Sequence, residues 1–339
     1  MSKKDLDRRD FLKTGSAAVA GAVAVGSLAD LSRAEEKAAK TQSSPETAAK
    51  QLYEALTEKQ RGEICFDWDY QHPKKGLLRA RVENNWHITP HLLNSEFFTG
   101  EQREIVRAIF EGMYTPEWIP KIDQQLKDDA GGYGKDQSIA MFGKPGDEKF
   151  EFVMTGRHMT LRCDGNTTEH MAFGGPIFYG HAARGFDEEP THPGNVFWEQ
   201  ALLANKVYEM LDGKQRKLAE VAKTPHEQSV GFQGKDGQFP GIPISELSKD
   251  QKDHVQTVLQ KLIEPYRQGD KDEVLKCLKE QGGLDACSLA FFTDEDIGND
   301  KVWDNWRLEG PSFVWYFRGS PHVHVWVNVS DNADMKTNT

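Results

Sequence analysis

The sequence predicts an α+β fold: a mainly antiparallel sheet with helices packed on it, built as a single large domain. Three features support this. Runs of alternating apolar residues that read as strands lie toward both ends of the chain. Helical patterns with N-cap residues lie between them. No Pro/Ser linker, charge block or evident internal repeat divides residues 51–329.

A helix is expected from Pro45 to about Arg61, with Leu52 and Leu56 on its apolar face. Cys65–Tyr70 and Leu77–Glu83 read as the strands of a hairpin around His72-Pro73. Thr99-Gly100-Glu101-Gln102 is a capping-box start, followed at helical spacing by Ile105, Ile109 and Met113. Pro116 opens another helix bearing Trp118, Ile122 and Leu126. Strands are expected near Ile139–Phe142, Lys149–Met154 and His158–Cys163, then helices over Phe197–Leu211 and, behind Ser248 as N-cap, Gln251–Tyr266. Strands near Ser288–Phe292, Phe313–Arg318 and His322–Asn328 close the domain, and residues 330–339 read as a disordered tail.

Ahead of the domain, Asp7-Arg8-Arg9-Asp10-Phe11-Leu12-Lys13 has the pattern of a twin-arginine export signal, with Lys3 and Lys4 as its basic start. The uncharged run Thr14–Ala29 is shorter than the roughly 20 apolar residues of a membrane span. Small-x-small cleavage sites follow at Ser27-Leu28-Ala29 and Ser32-Arg33-Ala34. Residues 1–34 are therefore expected to be a signal read by the twin-arginine translocon, which carries folded proteins. Residues 35–50 are expected to be a flexible leader, and the mature protein periplasmic or otherwise extracytoplasmic.

The whole chain carries a formal charge of −11. Cleavage after Ala34 leaves 36 Lys/Arg against 49 Asp/Glu, or −13. Nucleic-acid binding calls for a basic footprint, so that class is set aside. With no second long hydrophobic run, the mature form is not expected to be membrane-embedded. Cys65, Cys163, Cys277 and Cys287 form no CxxC or CxxCH pattern, which excludes zinc-ribbon, c-haem and iron–sulfur readings. Cys277 and Cys287 flank Gly282-Gly283 closely enough for a disulfide in an oxidising compartment, and Cys163 reads as a core thiol. The acidic run Asp294–Asp300 departs from a calcium loop, because its glycine comes one residue early and Asn305 stands where a bidentate Glu is needed.

Three segments carry a resemblance when taken in order. They are Thr155-Gly156-Arg157-His158-Met159-Thr160-Leu161, Gly175-Pro176-Ile177-Phe178-Tyr179-Gly180, and Arg307-Leu308-Glu309-Gly310-Pro311 leading into His322-Val323-His324. This set resembles the DUF3500 family of bacterial and fungal proteins, whose corresponding motifs are Gly-His-His-Leu, Pro-x-Phe-x-Gly and Gly-Pro…His-x-His. The resemblance implies a shared fold and directs attention to these residues; the family's function is unknown. Arg157 stands where the family has its first histidine, and Val327-Asn328-Val329 replaces the usual Arg-Asp-Pro.

The residues point to chemistry independently. Alternate strand residues share a face. His322, His324, Trp326 and Asn328 are then opposed by Val323, Val325 and Val327, and His158, Thr160 and Arg162 by Met159, Leu161 and Cys163. The histidines thus fall on the side away from the apolar face, expected to be accessible. If the two strands share a sheet, His158 can meet His322 and His324. Three neutral imidazoles with an open position form a catalytic shell for zinc, copper or iron. Glu309, beside the Gly310-Pro311 turn, is the candidate to accept a hydrogen bond from a ligand imidazole or to act as general base. His170 and His181 flank the Gly174-Gly175-Pro176 bend, and Arg157 is expected in an ion pair rather than on substrate. The leading expectation is an exported metalloenzyme, hydrolytic or oxidative. The alternative is a non-catalytic protein binding a metal or small ligand. Replacing Arg8 and Arg9 together by Lys should leave the precursor in the cytoplasm, measured by fractionation; normal export of that variant would refute the localisation.

Overall fold

The computed structural model describes residues 44–165, 167–182, 194, 196–294, 302, 305–319 and 321–339. The segment expected to be an export signal, most of the expected leader and most of the acidic run after Asp294 lie outside them. Among the described residues the α-helices are α1 (Pro45–Ala55), α2 (Glu58–Ile64), α3 (Gly100–Gly112), α4 (Ile119–Ala130), α5 (Trp198–Met210), α6 (Gly213–Ala219), α7 (Lys249–Ile263) and α8 (Gln268–Glu280). The strands are β1 (Cys65–Phe66), β2 (Gln71–His72), β3 (Gly76–Leu77), β4 (Gln137–Gly143), β5 (Phe150–Gly156), β6 (Met159–Cys163), β7 (Ile177–His181), β8 (Glu220–Val221), β9 (Ile242–Pro243), β10 (Ser288–Phe292), β11 (Asn305–Gly310), β12 (Phe313–Arg318) and β13 (Val323–Val329).

The fold is α+β, as expected. One sheet of eleven strands runs β1-β4-β5-β6-β7-β13-β12-β11-β10-β8, with β9 also on β10. Its pairings are antiparallel except at the two ends, where β1 joins β4 and β8 joins β10 in parallel. Several local expectations are corrected. The first helix breaks because Leu56 turns extended and Thr57 forms a capping box with Gln60. The Cys65–Glu83 hairpin is not formed: β1 goes to the sheet, and only the short β2–β3 ladder surrounds Pro73. Residues 330–339 are not a free tail, because Asn338 N–H donates to the Ala80 carbonyl and Val82 N–H to the Asn338 carbonyl. Pro45–Lys50 is helix rather than leader, with Ala48 and Ala49 buried. The four cysteines are free thiols; Cys277 faces the His170 carbonyl while Cys287 faces Gln281 and the Gly283 carbonyl, so no Cys277–Cys287 bond forms.

The structure also overturns the absence of an internal repeat. Residues 45–181 and 198–329 follow one plan: two helices running into a short parallel edge strand, two more helices, then a four-stranded meander. Registers agree in detail. Cys65 and Phe66 pair with Met141 and Phe142, while Glu220 and Val221 pair with Phe291 and Phe292. Ser138 pairs with Thr155, and Ser288 with Glu309. Gly156 pairs with Met159, and Gly310 with Phe313. The helix starts match as well. Gln60 and Gln102, each closing a capping box three residues after its N-cap, exchange side-chain amide bonds of 2.9 and 3.0 Å, and Gln102 also donates to the Ala55 carbonyl at 2.9 Å. Gln215 and Gln251 repeat this at 3.0 and 2.8 Å, with Gln251 donating to the Met210 carbonyl at 2.8 Å. The halves meet where β7 pairs with β13, Ile177 opposite Val327. They meet again where Thr115 N–H donates to the Pro265 carbonyl and Arg267 N–H to the Met113 carbonyl, around stacked Tyr114 and Tyr266.

Every strand residue from β10 to β13 is buried apart from the half-buried Arg318, and β5 to β7 are buried throughout. The helix-side core takes Met159, Leu161, Cys163, Val323, Val325 and Val327. The opposite face is covered by irregular chain from residues 78–92 and 221–243, packed on Phe178, Tyr316 and Trp326 in one half and on Ala140, Phe142 and Val153 in the other. Beneath that cover Arg162 is wholly buried and pairs with Glu151 at 2.6 Å, which Arg79 also reaches at 3.0 Å. Because each paired glutamine bonds a carbonyl, a partner amide and its own N-cap backbone, Gln102→Ala and Gln251→Ala should each cost about 1–3 kcal/mol. Urea denaturation of the two variants checks this, and the repeat requires losses of similar size.

Candidate metal centre

His158, His322 and His324 come together at one end of the sheet, where the β5–β6 turn, the end of β7 and the start of β13 converge. One ligand nitrogen from each lies within 4.8 Å of the others. Ring centroids are 5.0 Å apart for His158–His322 and His158–His324, and 4.4 Å for His322–His324. The expected face assignments hold, but the side they point to is covered rather than accessible: His158 is 1% and His324 5% exposed, with His322 half-buried.

His158 is not a strand residue. It sits with Arg157 in the two-residue turn between Gly156 and Met159, at φ +53°. A side-chain-bearing residue seldom adopts that conformation, and such outliers gather at functional positions. Two side chains hold the turn: Asp136 Oδ2 accepts from Arg157 N–H at 2.8 Å, and Asn85 Oδ1 from His158 N–H at 3.0 Å. His324 stands opposite Gly180 on β7. A Cβ at Gly180 would fall 2.0 Å from the Val323 carbonyl oxygen, so only glycine allows the strands this approach.

Each of the two buried rings is backed by a carboxylate that the sequence reading did not single out. His158 Nδ1 bonds Asp129 Oδ2, from the last turn of α4. Asp129 also accepts from Gln125 at 2.9 Å and from Ala182 N–H at 3.0 Å, with Arg157 Nε at 3.6 Å. His324 Nδ1 lies 3.0 Å from Glu227 Oε2, and Glu227 is paired with Arg318. Burial alone would raise both carboxyls. The His158 hydrogen bond, followed by that from the Ala182 backbone, acts against it at Asp129, and the His324 bond followed by Arg318 at Glu227, so both carboxyls lie below the ordinary range. Burial pushes His158 down despite Asp129, and pushes His322 down to about 4 together with the neighbouring imidazoles. The carboxylates make Nδ1 the donor nitrogen on both His158 and His324, which is the tautomer a metal ligand at Nε2 requires. Their Nε2 lone pairs then face each other across 3.1 Å. Two acceptors at that distance repel unless a cation lies between them. Tetrahedral ligands at 2.0–2.1 Å from zinc sit about 3.3 Å apart, so the cluster could hold a transition-metal ion.

A family model described as "Protein of unknown function (DUF3500)" matches residues 38–330. The chain belongs to the DUF3500 family. No curated protein and no solved structure matches it. In this DUF3500 protein the three motifs have distinct structural roles. The first supplies His158, the second supplies β7 with Gly180, and the His-x-His of the third supplies the other two imidazoles.

Glu309 does not join them. It lies opposite Val314, which lies opposite Asn328, so it is two strands away from β13 and four residues, about 13 Å, along the strand from His324. Nor is it a solvated turn residue: it is buried, bonded to Arg307 at 2.6 Å and Gln233 at 2.8 Å. His170 pairs with Asp331 at 2.6 Å on the surface, and His181 stacks on Phe197 on the helix side. Among the described residues, neither belongs to the cluster.

Proposed function

We propose that this protein is a mononuclear metalloprotein whose ion is held by His158, His322 and His324, that it acts as an exported enzyme, and that Asp129 and Glu227 orient two of the ligands. The observation that carries the reading is the pair of Nε2 atoms 3.1 Å apart, each on a ring whose Nδ1 bonds a buried or half-buried carboxylate. Carboxylate–histidine pairs of this kind fix the tautomer and raise ligand basicity. An all-nitrogen set suits zinc, copper or iron better than magnesium or calcium, which take oxygen ligands. Three protein ligands leave a position for water or substrate, which supports a catalytic over a purely structural ion. When bound, the ion would polarise a substrate oxygen or acidify water. The protein's own part is to keep the imidazoles neutral, through burial of His158 and His322, and to hold the rings of His158 and His324 through Asp129 and Glu227. The twin-arginine pattern fits a centre loaded in the cytoplasm and exported folded.

Elemental analysis of protein from its native compartment should find about one transition-metal ion per chain. His324→Ala should lose it while keeping a cooperative melt, because His324 contributes no contact to the helix-side core. Asp129→Asn should retain the fold and weaken affinity 10–100-fold, read by competition with a chromophoric chelator. Full metal retention by His324→Ala, or failure of the wild-type chain to bind zinc, copper or iron, would rule the site out.

A further inference from the structure

The two halves share a backbone plan, but they treat one place on the irregularly covered face of the sheet in opposite ways. In the first half it is occupied by aromatic side chains, Phe66, Trp68 and Tyr70 among them half-buried. Phe66 stacks on Tyr70 at 4.8 Å and on Phe142 at 5.6 Å, and Trp68 and Trp86 join the cluster around Val153. The register fixes the counterparts. Phe66 corresponds to Val221, since each is the second residue of its parallel edge strand, and Phe142 corresponds to Phe292, its partner. Counting along from these, Trp68 corresponds to Lys223 and Tyr70 to Pro225. Val153 and Thr155 correspond to Arg307 and Glu309. Three aromatic side chains become Val, Lys and Pro, and two small strand residues become an ion pair. The result is a pocket of about 440 Å³ bounded by Val221, Lys223, Pro225, Phe292, Arg307 and Glu309, within the size range of small-molecule sites.

The polar groups there are arranged for a ligand. Arg307 is 5% exposed. It donates to the Ser229 carbonyl at 2.7 Å and to Glu309 Oε1 at 2.6 Å, and its Nε is buried with no hydrogen-bond partner. A guanidinium has five N–H donors, so donors remain. Glu309 Oε1 is already shared between Arg307 and Gln233, at 2.8 Å from the latter, so the carboxylate neutralises Arg307. Lys223, exposed at the rim, then leaves the pocket net positive. Pro225, Pro240 and Phe292 supply apolar walls. Net positive charge together with apolar walls in one pocket selects an anion with a compact apolar body.

We propose that this pocket, separate from the histidine cluster, binds a small organic carboxylate. A fluorine NMR titration of the purified protein with 4-fluorophenylacetate tests it, with neutral 4-fluorophenylacetamide as the counterpart. The wild type should show saturable binding of the acid and at least tenfold weaker binding of the amide. Lys223→Trp with Pro225→Tyr restores the side chains of the first half; it should weaken binding at least tenfold without lowering the melting temperature. Lys223→Glu, an exposed change that leaves the fold intact, should also weaken it severalfold. His324→Ala should bind the acid as the wild type does. No saturable binding of the acid, equal binding of acid and amide, or undiminished binding in both Lys223 variants would overturn the assignment.

Discussion

The antiparallel ladder between β7 and β13 is the constraint on which the rest of the molecule depends. It is where two four-stranded meanders, formed some 150 residues apart, become one sheet with Ile177 opposite Val327. His158 belongs to the first meander and His322 and His324 to the second, so neither half contains the cluster. A shift of one residue in this ladder would turn His324 to the helix side and a valine toward His158, because strand side chains alternate. Register here is protected on both faces. Val325 and Tyr179 pack in the helix-side core, Trp326 and Phe178 meet edge to face at 4.8 Å on the other, and Gly180 admits the close approach beside His324.

Burial of both sheet faces gives the centre its electrical character. A chain with one wet face would leave His158 and His322 to titrate near the usual imidazole value. Here irregular chain carries Asn85 and Glu227 over the sheet end, and α4 brings Asp129 from the side. Desolvation then favours the neutral form of His158 and His322, while the carboxylates behind His158 and His324 hold those rings in place. The same cover contains the ion pairs Arg162–Glu151 and Arg307–Glu309, each with hydrogen bonds to backbone carbonyls. Buried charges are tolerated where they are paired and their remaining donors and acceptors are largely bonded.

How much of this was legible follows from which forces act locally. Capping boxes are contained in four residues, so the helix after Thr99 and the one after Ser248 could be read directly. Alternation is local too, which is why His322–Asn328 and the face carrying its histidines were readable, and why a meeting of His158 with His324 could be anticipated. Glu309 misled because a carboxylate beside a Gly-Pro turn looks the same in sequence whether it is solvated or paired beneath a covering loop. Asp129 and Glu227 gave no local signal. Asp129 is one of two adjacent acids in Lys127-Asp128-Asp129, and only the tertiary approach of α4 to the Arg157–His158 turn singles it out. β11 was missed because Arg307 and Glu309 interrupt its apolar pattern.

The repeat was hidden for a physical reason as well. What the halves conserve is register and helix capping, and these need only a few residues: Lys59-Gln60-Arg61 against Lys214-Gln215-Arg216, and Ser138-Ile139-Ala140-Met141-Phe142 against Ser288-Leu289-Ala290-Phe291-Phe292. What they vary is the chemistry placed on that frame. The turn that carries Arg157 and His158 in one half carries Pro311 and Ser312 in the other, and there Ser312 makes only structural bonds, from its N–H to Gln281 and from its hydroxyl to the Ser330 carbonyl. Conversely, the place filled by Phe66, Trp68 and Tyr70 in the first half is open in the second. A duplicated frame supplies twice the stable positions that one function needs. In this chain the two halves differ so that the histidine cluster spans both while the Arg307 pocket belongs to one.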